Sequence, residues 1–160
     1  MLTQLRDHHA AVVRWLDAHR NLCDAARPDY QALRHVRWQS AQASRKRMLF
    51  LAEVVFPFAE RHAGLKAAAG LLTLRNETPG YGQILSAFIA RWPMDVVIAD
   101  TDGYARAADA YRREADKRLL AEERHLRTLI AEVEWRAGDA PVSTGPSASS
   151  PHPAPVRPQS

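Results

Sequence analysis

The sequence predicts an all-α fold: an antiparallel up-down four-helix bundle with a short extra helix and a disordered C-terminal tail. Hydrophobic residues make up 46% of the 160 residues, enough to build the core of one domain. Ala, Leu, Arg and Glu are abundant, and these residue types favour helices over strands. Apolar residues recur at spacings of three, four and seven along four segments joined by short connections, which is typical of antiparallel helix bundles.

The first helix is predicted over residues 2 to about 26. Its inward stripe contains Leu5, Val12, Leu16, His19 and Cys23. The sequence Arg27-Pro28-Asp29 then predicts a turn. Asp29 is expected to cap the second helix, because its carboxylate can accept hydrogen bonds from the free amides of a first helical turn.

The second helix is predicted from residue 30 to a region between Val54 and Glu60. Its inward stripe contains Leu33, Val36, Ser40, Ala43, Arg47, Leu51, Val54 and Phe58. Pro57 is expected to end or kink this helix, because proline lacks an amide hydrogen and clashes with the preceding turn. The short extra helix is predicted over 65–74, followed by a loop over 76–82 that is rich in turn-forming residues.

The third helix is predicted over residues 83 to about 92, and Pro93 should end it. One side of this helix carries Leu85, Phe88, Ile89 and Trp92. The linker that follows contains Asp100-Thr101-Asp102-Gly103, which can cap the last helix. That fourth helix is predicted over about 103–136, with an inward stripe of Tyr104, Ala108, Tyr111, Ala115, Leu119, Leu126, Leu129 and Val133.

The composition changes near Gly138, which divides the chain into a helical bundle at 1–137 and a tail at 138–160. Residues 141–160 hold six of the ten prolines together with Ser and Ala. Such a segment is expected to be disordered, because it cannot bury enough apolar surface to offset its ordering entropy.

The overall charge and the cysteine content exclude few functions. The formal net charge is +4, but acidic residues are interspersed with the basic ones and no basic block of five or more occurs, so nucleic-acid binding is not expected. One cysteine cannot form an internal disulfide. Neither a signal peptide nor a membrane-spanning run is recognised, so a cytoplasmic protein without a membrane partner is expected.

Charged residues in the middle of an apolar stripe are the most informative positions. Glu122 lies on the stripe of the fourth helix, and Arg118 lies one turn earlier near its edge. Arg47 lies on the stripe of the second helix. His8 and His9 flank the centre of the first stripe, and periodicity leaves open which of them faces inward.

A buried charge must be paired or bind a metal. In one arrangement, Glu122 pairs with Arg47 or Arg118 in a polar core network that includes one of the two histidines. In the other, Glu122 and His8 or His9 ligate a cation. The arginines favour the first arrangement, because a guanidinium is permanently charged and repels a divalent cation.

Four further polar residues are assigned ordinary roles. Glu53, His62 and His125 lie off the stripes, so exposed side chains are expected, although Glu53 or His125 could complete a metal site. Cys23 is expected to be a small buried apolar residue and not a nucleophile, because no electropositive pattern surrounds it.

Three local motifs resemble the hemerythrin-like, or HHE cation-binding, family of four-helix bundles. The sequence Leu5-Arg6-Asp7-His8-His9 is similar to the family's opening motif, in which a histidine is an iron ligand. The segment Arg47 to Phe58, with its aromatic-Pro pair, resembles the second helix, and Arg118 to Glu123 resembles the last helix. The resemblance covers residues 2 to 136.

The departures from the family pattern alter the function that the resemblance implies. Arg47 and Arg118 stand where ligand histidines are expected, and Leu51 stands where a glutamate is expected. The resemblance therefore implies a non-enzymatic bundle without a functional diiron site or other cofactor, acting as a structural, ligand-binding or regulatory module with an unidentified protein or small-molecule partner. The alternative is a diiron or single divalent metal site at His8, His9 and Glu122, for oxygen or nitric oxide binding or sensing, or for iron storage.

Overall fold

The computed structural model describes residues 1–138, and within this range it contains helices and turns but no strand. The elements are α1 (Leu2–Cys23), α2 (Tyr30–Phe50), a π-helical segment (Leu51–Val55), α3 (Phe56–Arg61), α4 (Ala68–Arg91), α5 (Met94–Ala99) and α6 (Thr101–Gly138). The predicted all-α class is confirmed for these residues. The predicted disordered tail lies outside them, apart from Gly138 at the end of α6.

Two aspartates begin the helices that follow them, as the sequence predicts. Asp29 Oδ1 accepts hydrogen bonds from the backbone amides of Gln31 and Ala32 at 3.0 Å, which caps α2. Asp100 Oδ1 accepts a hydrogen bond from the amide of Gly103 at 2.8 Å, which caps α6. The first helix ends at Cys23 and not at residue 26.

The C-terminal end of the second predicted helix differs from the prediction. Pro57 does not end the helical path, because it lies in the first turn of α3 and the preceding π-helical segment carries the helix past it. The preceding π-helical segment has wider turns, so the inward face shifts by one residue. Val54 is therefore 37% exposed, and Val55 is fully buried in its place.

The predicted loop over 76–82 is wrong, because α4 continues through it and joins the two shorter helices into one. Pro79 lies inside α4 and cannot donate a backbone hydrogen bond to the preceding turn. The carbonyl that loses its amide donor is that of Arg75. The adjacent carbonyl of Leu74 accepts hydrogen bonds from Thr78 Oγ1 and Arg118 Nη2, at 2.8 and 2.5 Å. The predicted linker also contains a helix, α5, which buries Val97.

The contacts between the long helices run in opposite order along each neighbouring pair. They are His8–Phe50 and Trp15–His35 between α1 and α2, Arg6–Glu123 and His19–Tyr104 between α1 and α6, and Arg118–Thr78 and Phe88–Tyr104 between α4 and α6. Within residues 1–138, no helix combines the length and the apolar character needed to cross a bilayer.

The apolar core consists of three clusters along the helix axes. The first contains Leu5, Leu51, Val55, Leu71, Leu126 and Leu129. The second contains Val12, Leu16, Ala43, Ala115 and Leu119. The third contains Leu33, Trp92, Val97, Tyr104 and Ala108. Buried polar residues occupy the two boundaries between these clusters, at the positions of Glu122 and His19.

Candidate functional site

Glu122 is the centre of a buried polar network between the first and second core clusters. Its side chain is fully buried, and both carboxylate oxygens accept a hydrogen bond from Arg47 Nη1 at 3.1 Å. Oε1 also accepts from Arg118 Nε at 2.9 Å, and Oε2 lies 3.1 Å from His9 Nε2. Because an ionised carboxylate only accepts, His9 carries the hydrogen on Nε2 and donates it. We call these four residues the Glu122 network.

The electrostatics of the Glu122 network favour the charged carboxylate. Burial by itself would raise the pKa of Glu122, because it removes water from the anion. The hydrogen bond from His9, the charge of Arg47 and the hydrogen bond from Arg118 outweigh burial and hold the pKa below its usual value. Glu122 is therefore an anion that is paired inside the core.

Arg118 connects the Glu122 network to α4. Its Nη1 donates to Glu77 at 3.1 Å, and its Nη2 donates to Thr78 Oγ1 at 2.9 Å as well as to the carbonyl of Leu74. The guanidinium thus reaches acceptors on two helices while it remains buried. Sequence reasoning missed Glu77 and Thr78, because it placed both in a loop.

Arg47 is only 1% exposed and is less completely bonded than Arg118. Its Nη1 alone contacts Glu122, and its buried Nε has no hydrogen-bond partner within residues 1–138. The ring of Tyr81 lies over the guanidinium, with 5.4 Å between the ring centroid and Cζ, and it is 5.9 Å from Cζ of Arg118. Tyr81 therefore contacts both cations through its π face.

The structure distinguishes the two candidate histidines. His9 is buried and joins the Glu122 network, whereas His8 is half-buried against the ring of Phe50, with centroids 4.9 Å apart. Burial, followed by the charge of His9, lowers the pKa of His8. Glu53 is exposed on the π-helical segment, as expected.

His62 and His125 do not add to the network. His125 is half-buried beside Gly70, where a Cβ atom would overlap its ring, and His62 packs against the ring of Phe58. The sequence predicted exposed side chains for both. They are partly buried instead, because Gly70 of α4 lies against His125 and Phe58 of α3 lies against His62. Among residues 1–138, no group of three or more His, Cys, Asp or Glu side chains is placed to hold a metal ion.

A second polar cluster lies between the second and third core clusters, at His19. His19 Nε2 and the Tyr104 hydroxyl share a short hydrogen bond, and Cys23 Sγ lies 3.9 Å from His19 Nδ1. The guanidinium of Arg37 lies 5.2 Å from the centroid of the Tyr104 ring. We call these four residues the His19 cluster.

Burial keeps His19, Cys23 and Tyr104 neutral. It lowers the pKa of His19 to about 4, assisted by the charge of Arg37. It raises the pKa of the Cys23 thiol to about 11 and that of the Tyr104 hydroxyl above its usual value. Cys23 is therefore a thiol beside a neutral imidazole and lacks the thiolate that a nucleophilic cysteine needs.

Sequence reasoning placed His19 and Tyr104 on inward stripes but did not bring them together. No direct signal was present, because an antiparallel register that pairs residue 9 with residue 122 places residue 19 opposite residue 112 and not opposite residue 104. Arg37 carried no signal either, because it lies off the stripe of α2 and reaches the cluster through its long side chain.

Comparison with known proteins identifies no relative of this chain. No protein-family model, no curated protein and no solved structure matches the chain. The function of this chain must therefore be inferred from the contacts of the Glu122 network and the His19 cluster.

Proposed function

We propose that this chain is a divergent hemerythrin-like module, a non-enzymatic binding protein in which the Glu122 network occupies the position of a metal centre. In this proposal, α1, α2, α4 and α6 form the antiparallel up-down four-helix bundle. The opposite order of contacts between α1 and α2, between α1 and α6 and between α4 and α6 supports this arrangement.

The observation that carries the proposal is that protein donors occupy the hydrogen-bonding positions of the Glu122 carboxylate. Its two oxygens receive four hydrogen-bond contacts from Arg47, Arg118 and His9, and a carboxylate offers about four lone-pair directions. A metal ion would have to displace a guanidinium to reach either oxygen. The two guanidinium groups would also repel a divalent cation at close range.

The proposal of a non-enzymatic role has separate support from the His19 cluster. Cys23 and His19 resemble a nucleophile and its base by residue type, but both are neutral at physiological pH. A nucleophilic cysteine needs a lowered pKa, and that of Cys23 is raised. Structural and ligand-binding roles remain for the module.

Metal content tests the proposal directly. We would purify the full chain from cells supplemented with iron, manganese and zinc and measure bound metal by mass spectrometry. The expected result is far below one equivalent of any metal, together with a melting temperature that EDTA leaves unchanged. A His9→Gln variant is the matched control, because it removes an imidazole but preserves a hydrogen-bond donor to Glu122.

The opposite result would support the second candidate. His9 Nε2 and Glu122 Oε2 are 3.1 Å apart, so one cation could contact both groups if Arg47 moved away. About one equivalent of metal or more that is lost in His9→Gln would overturn the proposal. Oxygen or nitric oxide binding, or iron storage, would then become the leading function.

A further inference from the structure

A cavity of about 300 Å³ lies between α1 and α6, beside the His19 cluster. Leu16 and Ala108 form part of its lining from the core side, and Ala105 contributes a second small side chain. The alanines leave space that a larger residue would fill, and Leu16 adds an apolar surface. A volume of about 300 Å³ is at the lower end of the range for small-molecule sites, which are mostly apolar with a few polar groups.

The polar part of the lining has an excess of positive charge. Arg20, Arg106 and Arg112 face Asp24 and Asp109 around the cavity, which leaves one unbalanced cation. His19 also lines the cavity but adds no charge at neutral pH, because its pKa is lowered to about 4. The cavity thus matches a single negative charge on its occupant.

Arg112 indicates where that charge would lie. Its Nη atoms donate to Asp109 at 3.2 Å and to Asp116 at 3.3 Å, so the guanidinium is held in place on both sides. Its Nε is buried and has no hydrogen-bond partner within residues 1–138. A buried donor without an acceptor is uncommon. Because Nε has almost no accessible surface, an acceptor on a bound molecule would reach it only after a small rotation of the guanidinium toward the cavity.

We propose that this cavity binds a small organic monocarboxylate. The carboxylate is attracted by the guanidinium of Arg112, whose Nε donates to it after a small rotation of the side chain, and by Arg106 at the exposed edge. The aliphatic part lies against Leu16 and the two alanines. A doubly charged phosphate is disfavoured, because its second charge would face Asp24 and Asp109. This inference depends on the proposed ligand-binding role and gives that role a ligand class.

Octanoate is the probe, and Cys23 is the reporter. Cys23 is the only cysteine of the chain, lines the cavity and is half-buried, so its alkylation by iodoacetamide reports on this site alone. The reaction is run at alkaline pH, because the raised pKa of Cys23 leaves little thiolate at neutral pH. Octanoate should slow the alkylation several-fold at a concentration where calorimetry detects binding. 1-Octanol, which has the same chain without the charge, should protect far less. The wild-type protein suffices for this measurement.

Substitutions then locate the carboxylate and the aliphatic chain. Arg112→Gln should weaken octanoate binding about tenfold or more, because a charge-assisted hydrogen bond is lost. Ala105→Leu should abolish binding by filling the cavity while keeping a good helix former. Arg124→Gln on the exposed side of the same helix is the matched control and should bind octanoate normally. Melting curves of all three variants confirm that they are folded.

The proposal is overturned if octanoate leaves the alkylation of Cys23 unchanged, or if 1-octanol protects Cys23 equally well. It is also overturned if both Arg112→Gln and Ala105→Leu bind octanoate like the wild type. None of these results depends on metal content, so failure here is distinguishable from failure of the proposed function.

Discussion

The Glu122 network and the His19 cluster both place titratable groups among apolar clusters, where a lone charge is costly. The central residue is charged in the first and neutral in the second. Glu122 keeps its charge because two guanidinium groups and an imidazole hold it. Within residues 1–138, His19 has no carboxylate partner and lies near the cation Arg37, so burial keeps it neutral.

The difference shows that the available partner, and not burial alone, decides the protonation state of a core residue. Burial disfavours the charged form in both regions, yet the pKa of Glu122 moves toward charge and that of His19 moves away from it. The two regions should therefore respond differently to substitution and to pH.

Removal of Glu122 should have the largest effect. Glu122→Ala leaves the buried guanidinium of Arg47 without its counter-charge and should lower the free energy of unfolding by about 3–5 kcal/mol. Urea denaturation at neutral pH measures this loss. Glu123→Ala is the matched control: Glu123 is a more exposed neighbour that pairs with Arg6 and Arg127, and its loss should cost less than about 1 kcal/mol.

A double substitution separates pairing from packing in the Glu122 network. Glu122→Leu combined with Arg47→Met should recover most of the stability lost in Glu122→Leu alone, because no unpaired guanidinium remains at Arg47. An unfolding free energy that Glu122→Ala leaves unchanged would show that the network does not stabilise the core.

The pH dependence of stability should identify the His19 cluster. The unfolded chain takes up a proton at His19 near pH 6.5, whereas the folded chain does so only near pH 4. Stability is therefore complete above about pH 6.5 and falls by up to about 3 kcal/mol as the pH drops to about 4. Glu122 has a lowered pKa and should lose its contribution only below the usual carboxyl range.

The measurement is urea denaturation between pH 4 and pH 7 of the wild type and of His19→Gln, which cannot titrate. The decline in this range should be smaller in the variant. His8 and His125 also have lowered pKa values but titrate in both proteins, so the difference isolates His19. Two parallel curves would contradict a neutral His19 in the folded state.

The hydroxyl of Tyr104 should have the smallest effect. Tyr104→Phe keeps the ring contacts with Phe88 and Trp92 and should cost about 1 kcal/mol, the usual value for one neutral hydrogen bond. A neighbouring cavity of about 40 Å³, lined by His19 and Tyr104, has space for a water molecule. That water can form a hydrogen bond with the imidazole in place of the missing hydroxyl.

Thermal unfolding measures this cost, with Tyr30→Phe as the control, since the Tyr30 hydroxyl bonds to Thr101 at 3.0 Å in a partly buried place. A loss in Tyr104→Phe as large as that of Glu122→Ala would mean that the His19 cluster behaves like a charged pair.

Much of the fold was readable in the sequence, because apolar periodicity records which face of a helix avoids water. The stripes of the first and last helices contain the buried Leu5, Val12, Leu126 and Leu129. Asp29 was recognised as a cap, and the capping of the last helix was assigned to a four-residue segment that includes Asp100. Periodicity failed where the helix geometry changed, since the π-helical segment moved the inward face from Val54 to Val55.

The sequence by itself determined the all-α class, the approximate extent of the first and last helices and the inward positions of Arg47 and Glu122. Only the tertiary structure decided that His9 and not His8 faces Glu122, that α4 runs through Pro79, and that His19 meets Tyr104. The physical reason is that these outcomes depend on donors and acceptors from other helices. Local propensity and periodicity describe one helix at a time and hold no information about those partners.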